Sequence, residues 1–396
     1  MSRTRIVLIF LLALTLASPL AAGAQEYRIG FVSAITGPAS SLGVPERDVA
    51  VMIQKELEAK GGITGPDGKK YPVKLFIHDD ESKADTTVRL VKKLIAEDKV
   101  HVVIASSQSP TSLAVVPVVT EAKMPLISMA SSHAIVTPVK ERFWVFKTPQ
   151  SNIHVSTHQV KYLKAKGYKK IASLYVNDAF GEDSRRGLAT MIKDSGIEVV
   201  YEDKFEQADK DMTPQLTKVK ASGAQALIVH AIPPSASIIT KQFRDLGLTI
   251  PLIHNHGVGN QPFIDLAGGA ADGVIFPIGK MLVAEGLPDA DPQKKVLLDF
   301  VAWYEKGTGK KRSTFAGHAW DALQMAFMAF AKVSPGAPLD QARARIRDEL
   351  EKVKNFAGTG GIFNMSAEDH VGLDERSMLL VRIEGGTWKY LPPEKW

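Results

Sequence analysis

The sequence predicts an α/β protein of two doubly wound lobes, each built on a parallel sheet. Three observations predict it. Short β-branched runs alternate with helix-period segments through most of the chain. Those runs are apolar throughout, as strands covered on both faces must be. The alternation extends from residue 28 to residue 255. A single domain usually occupies roughly 100–200 residues, so two lobes are expected.

The elements follow in order. "RIGFVSA" (28–34), "PVKLFIH" (72–78), "VHVVIAS" (100–106) and "MPLISM" (124–129) read as strands. "RDVAVMIQKELEAK" (47–60) and "DTTVRLVKKLIAED" (85–98) read as helices between them. "KGGITGPDGKKYP" (60–72) carries heavy Gly/Pro punctuation and reads as a surface turn. The texture resumes with "KKIASLYV" (169–176), "GIEVVYED" (196–203), "AQALIVH" (224–230) and "IPLIHN" (250–255). After residue 285 helical segments come without strands between them, at 292–306, 314–333 and 339–353. The tail, 377–391, is strand-like, and its Gly-Gly pair suggests a hairpin.

Composition is ordinary for a globular chain: 396 residues, 45% hydrophobic and 23% charged. The first residues differ. Arg3 and Arg5 precede the apolar run Ile6–Ala17, and Ala22-Gly23-Ala24 is a small-x-small site. A basic start, a short apolar core and such a site read as a secretory signal, residues 1–24, cut before Gln25. The run is too short for a good membrane span, and no later stretch replaces it, so stable membrane insertion is not expected. Loss of two arginines lowers the net charge from +6 to +4. Basic and acidic residues are interspersed, which argues against nucleic acid as a partner. The chain has no cysteine. An exported protein of this kind has no disulfides and no lipidated N-terminal cysteine, which fits a free periplasmic protein.

In open parallel sheets, ligands sit beyond the carboxyl ends of the strands. That rule selects the loops "ITGPASSLG" (35–43), "ASSQSPTSLAVVPV" (105–118) and "MASSHA" (129–134). Ser109-Pro110 reads as a helix start, with a hydroxyl cap and a proline whose missing N–H is not needed there. Free N–H groups at such a start attract an anion. Ser131 and Ser132 could join them in a carboxylate cradle. Ordinary capping accounts for the same residues about as well. A phosphate-binding glycine pattern is missing, which argues against nucleotides.

Other motifs carry less. "HDDE" (78–81) could be a metal cluster, but acids before a helix more often serve its N-terminus. His254 and His256 could share a metal on one strand face, yet no third ligand stands at useful spacing. His254, nearer the sheet, is expected to be packed. A hydrolase would want a Gly-x-Ser-x-Gly elbow, and none is present. No catalytic residue, metal or cofactor is therefore assigned.

Taken in order and spacing, these pieces resemble the amino-acid-type periplasmic binding proteins of ABC transporters, the leucine/isoleucine/valine-binding branch. The resemblance rests on "IGFVSAITGPASSLG", "KGGITGPDGKKYPVKLFIHDD", "VIASSQSPTSLAVVPV", "MPLISMASS", "NDAFGEDSRRG", "FRDLGLTIPLI", "GVIFP", "FAGHAWDAL" and "GTGGIFNMSAEDHVG". It implies a type I clamshell with a three-crossover hinge. One lobe would be 27–147 plus 277–357, the other 148–276 plus 358–396. It implies no enzyme activity, a monomer, and delivery of a small molecule to a membrane permease. A sensor presenting its ligand to a membrane receptor shares the same physics. A periplasmic hydrolase is a weaker alternative.

Carried over by position, the resemblance places the carboxylate grip at Ser109, Ala130 and Ser132, with Ser131 beside them. Gln108 and Leu42 would line the same wall. Phe180, Ile232 and Phe315 would supply apolar contacts. The position at which amino-acid binders hold an acid against the ligand's ammonium falls on His256, followed by Gly257. A mostly neutral histidine does not balance an ammonium, and a buried unpaired ammonium costs several kcal/mol. The expected cargo is thus a hydrophobic or aromatic carboxylate, such as a 2-oxo acid, with a branched-chain amino acid as the other candidate. Protonated His256 would attract an acid, so binding should strengthen as pH falls through its titration.

Overall fold

Strand β1 (Tyr27–Ser33) leads into α1 (Ser40–Lys60), followed by a small hairpin, β2 and β3 (Ile63–Thr64 and Lys70–Tyr71). Then come β4 (Val73–Asp79), α2 (Ala84–Ala96), β5 (Val102–Ala105), α3 (Ser109–Glu121), β6 (Leu126–Ser128) and β7 (Val145–Lys147). These ranges come from a computed structural model, which describes residues 25–396. The proposed signal segment lies outside the described residues. The first sheet is parallel, in the order β4-β1-β5-β6-β7.

The chain then crosses into a second unit. It contains α4 (Asn152–Ala165), β8 (Lys170–Val176), α5 (Ala179–Ile192), β9 (Glu198–Phe205), α6 (Thr213–Ala221), β10 (Ala226–His230), α7 (Ser235–Asp245), β11 (Leu252–His254), α8 (Gln261–Ala267) and β12 (Ile275–Gly279). It crosses back into α9 (Lys294–Thr308), α10 (Thr314–Phe330) and α11 (Leu339–Glu351). Here α10 packs on α1 and β5 of the first unit. After the short hairpin β13–β14 (Phe356–Ala357 and Ile362–Phe363), a third crossing delivers β15 (Met378–Glu384) and β16 (Thr387–Tyr390). The second sheet runs β16-β15-β12-β11-β10-β8-β9, parallel except for its last two strands. This is the type I periplasmic-binding-protein fold. β12 lies wholly in the second sheet, so the boundary expected at residue 277 falls inside a strand.

Burial explains the strands. β5, β6, β10 and β11 are buried at every residue, as their unbroken apolar runs require. The terminal hairpin turns at Gly385-Gly386, both with positive φ (58° and 72°), which suits a tight two-residue turn. Two expectations shift. The turn at 60–72 contains the β2–β3 hairpin. Helix α1 begins at Ser40, seven residues ahead of the expected start at 47, and carries Pro45 inside it. Proline has no N–H to bond the carbonyl four residues back. The freed Ser41 carbonyl instead accepts from Asn260 Nδ2 of the second lobe, at 3.4 Å. Among the described residues, no helix is long and apolar enough to cross a membrane.

Candidate functional site

The carboxyl ends of both sheets face one cavity. From the first lobe it is walled by Leu42, by Gln108, Ser109 and Pro110 at the start of α3, and by Met129, Ala130 and Ser131 after β6. From the second lobe come Asp178 and Phe180 at the start of α5, Ile232 after β10, and His256 and Gly257 after β11. Phe315 and His318, from the first turns of α10, close it. Ten of the eleven candidate residues thus line one cavity.

Ser132 stands behind the wall. It is fully buried, its N–H donates to Ser109 Oγ at 3.2 Å, and its own hydroxyl has no protein partner. Ser109 also differs from expectation. The residue at the cap of α3 is Gln108, and Pro110 follows Ser109 within the first turn. The Ser109 hydroxyl caps nothing and instead accepts from the Ser132 N–H. First-turn N–H groups have no acceptor within their helix, so this end of α3 still presents donors toward the cavity.

The second-lobe wall is built by caps. Asp178 Oδ1 accepts from the N–H groups of Phe180 and Gly181 at 2.8 and 2.9 Å, which starts α5 beneath Phe180. Burial pushes the Asp178 carboxyl above its ordinary range, against those two hydrogen bonds. Asn255 caps the short turn holding His256 by accepting from Gly257 N–H at 3.1 Å. Gly257 is required there, since a Cβ would come within 2.8 Å of the Ala231 carbonyl oxygen. Phe180 and His256 lie with ring centroids 6.2 Å apart, and Phe315 and His318 5.9 Å apart. The slot between them suits a flat or branched apolar group.

His256 and His318 are both neutral. Burial, with His318 and the Lys147 ammonium adding to it, pushes the His256 ring down to about 3. Burial and Lys147 do the same to His318, also to about 3. The expected rise in binding through the titration of His256 is therefore corrected: no such titration falls near neutral pH. His254 is packed, with Nε2 2.9 Å from Thr240 Oγ1 and its ring against Phe263. The acids of "HDDE" serve loops. Asp79 accepts from Thr36 and Glu81, and Asp80 from Ser82, Ser106 and Thr87.

Pattern reading missed Asp178 and His318 as wall residues. Asp178 had a signal, because it opens the "DAFGE" stretch that places Phe180. His318 lies three residues after Phe315, one helical turn along the same face.

A two-lobed fold of this kind, with a cavity where the strand ends of both sheets meet, defines a binding protein. The chain belongs to the periplasmic binding proteins of the leucine/isoleucine/valine type, whose family profile, "Periplasmic binding protein", matches residues 26–387. It is 22% identical over 323 residues to the leucine-specific-binding protein of Salmonella typhimurium, covering 80% of this chain and 82% of that protein. An extracellular ligand-binding receptor from Rhodopseudomonas palustris HaA2 superposes with a TM-score of 0.84 at 30% identity, covering 92% and 99% of the two chains. A solute-binding protein of an ABC transporter from R. palustris BisB5, solved with 3,4-dihydroxybenzoic acid, shares the fold at TM-score 0.75 and 23% identity, covering 93% and 96%.

Proposed function

We propose that this protein is the solute-binding component of an ABC importer for a small hydrophobic carboxylate without an α-ammonium group, such as an aromatic or 2-oxo acid. The observation that carries the reading is the pair of neutral imidazoles, His256 and His318, that line the same cavity as the serine turns. Neither offers the negative charge that a buried ammonium needs. Both can donate one hydrogen bond and accept another, which suits a hydroxyl, a keto group or the far oxygen of a carboxylate. Ser109, with the start of α3, receives the cargo's carboxylate. Leu42, Phe180, Ile232 and Phe315 cover its apolar body. The R. palustris protein with 3,4-dihydroxybenzoic acid is an instance of this fold enclosing an aromatic acid.

A second reading, a branched-chain amino acid, is favoured by one observation. Asp178 is a carboxylate on the cavity wall. Its Oδ1 is committed to the cap of α5, which leaves Oδ2 as the group to meet an ammonium. Calorimetry with 3,4-dihydroxybenzoate, 4-methyl-2-oxopentanoate and leucine separates the two. The first reading expects the acids to bind tightly and leucine weakly. Tight leucine binding that is lost in Asp178→Asn establishes the second.

A further inference from the structure

Lys147, the last residue of β7, is fully buried between the lobes. Its Nζ donates to the Ser131 carbonyl at 2.6 Å and to Ser151 Oγ at 2.9 Å. It forms none of the ion pairs found among the described residues. The charged and titratable groups facing it come from several elements. Asp183 lies on α5, Asp369 in the loop before β15, and His133 in the turn after β6. His154 lies on α4, while His256 and His318 stand on the cavity wall. Asp183 is already engaged, accepting from His133 N–H at 3.0 Å and Asn152 Nδ2 at 2.8 Å. Burial pushes the Lys147 ammonium down to about 7, with Asp183 and Asp369 opposing the shift.

The hydrogen bonds lead from this cation to the cavity. The carbonyl that accepts from Lys147 belongs to the peptide unit between Ser131 and Ser132. The N–H of that same unit donates to Ser109 Oγ. Pulling on the carbonyl strengthens the N–H as a donor, as in any hydrogen-bonded chain. With its oxygen accepting, the Ser109 hydroxyl has its own proton free, and Ser109 lines the cavity. A buried cation without an ion-pair partner is costly until an anion joins it.

We propose that Lys147 is the counter-charge for the cargo's carboxylate, acting through the Ser131–Ser132 peptide and the Ser109 hydroxyl, so that binding draws a proton onto the protein. It rests on the carboxylate reading above and holds for an acid or an amino acid alike. Lys147 is a positioning residue, because its ammonium acts through the peptide and Ser109. Its pKa rises when an anion is bound. Affinity therefore grows as pH falls toward about 7, where the free protein's ammonium titrates, and flattens below.

The test is calorimetry with 4-methyl-2-oxopentanoate, 3,4-dihydroxybenzoate and leucine, in buffers of different ionisation enthalpy at pH 7.5. A fraction of a proton should be taken up per bound molecule. Lys147→Arg carries a permanent charge and should lose both the uptake and the pH slope while still binding the acids more tightly than Lys147→Met. Lys147→Met should weaken binding at pH 6.5 by more than tenfold. Glu46 is a control, because burial also raises its carboxyl and it contacts Ser107 of the wall. Uptake that persists in Lys147→Met and disappears in Glu46→Gln overturns the proposal. Zero uptake by the wild-type protein with every probe that binds overturns it as well. An acid bound without uptake leaves the proposed cargo standing and removes Lys147, whereas no binding by any probe removes both.

Discussion

Asn260 of the second lobe donates to the carbonyl of Ser41 in the first, an acceptor that Pro45 leaves free within α1. The same side chain caps α8 through Oδ1, which accepts from Phe263 N–H at 3.1 Å. Asn260→Asp keeps the cap and removes the donor that ties the lobes. Cargo binding should weaken by roughly 2–12-fold, from the roughly 0.5–1.5 kcal/mol of one such bond, with thermal stability of the unliganded protein little changed. Equal affinity in calorimetry would show that this contact does not hold the lobes together.

Ser109 and Ser132 should separate on mutation. Ser109→Ala removes a hydroxyl at the cavity. It should cost an acid cargo about 1.5–3 kcal/mol, or roughly 10- to 150-fold in Kd. Ser132→Ala leaves its backbone N–H in place and should change affinity far less. Reversal of that order would put the carboxylate seat on Ser132.

His256→Glu should exchange preferences. The glutamate offers a charge partner for an ammonium and repels a free acid, so 4-methyl-2-oxopentanoate should lose affinity relative to leucine. Competition calorimetry with the two compounds measures the shift. An unchanged ratio would mean that position 256 does not read the α-substituent.

Acid should destabilise the protein through its buried rings. Burial holds His230 at about 3, and His254, with His230 and Arg244 adding to its shift, also at about 3. In the unfolded chain such rings titrate near 6.5. Between about 6.5 and about 3 the unfolded state binds more protons, so stability falls as pH falls through that window. Glu46 and Asp321, whose carboxyls burial raises, act in the opposite direction. Neither His230 nitrogen has a partner, so His230→Leu should fold and should lose less stability than wild type between pH 7.5 and pH 5. Urea midpoints at the two pH values provide the comparison, and an identical loss would contradict the assignment.

The exported protein should begin at Gln25. Mass spectrometry of the secreted form would show loss of residues 1–24, and an intact amino terminus would refute it.

The apolar runs were enough to place β1, β5, β6, β8, β10 and β11, because strands covered on both faces must be apolar along their length. The part-exposed edge strands β4 and β9 were legible instead through their β-branched and aromatic residues. The serine turns at 106–109 and 131–132 were legible through the rule that ligands sit at strand ends. Pattern hid other elements. β7 has three residues, too few to show a period. β12 contains Pro277, which argues against a strand in any one-dimensional reading. Only the tertiary structure decided which serine faces the cavity, since side-chain direction past a strand end follows from loop packing rather than alternation. It also decided the ionisation of His256 and His318, because a pKa is set by what surrounds a ring and not by its neighbours in sequence. Lys147 reads as an ordinary lysine until folding brings Ser131, Ser151, Asp183 and the two cavity histidines around it, and burial there is what makes its charge matter to the cargo.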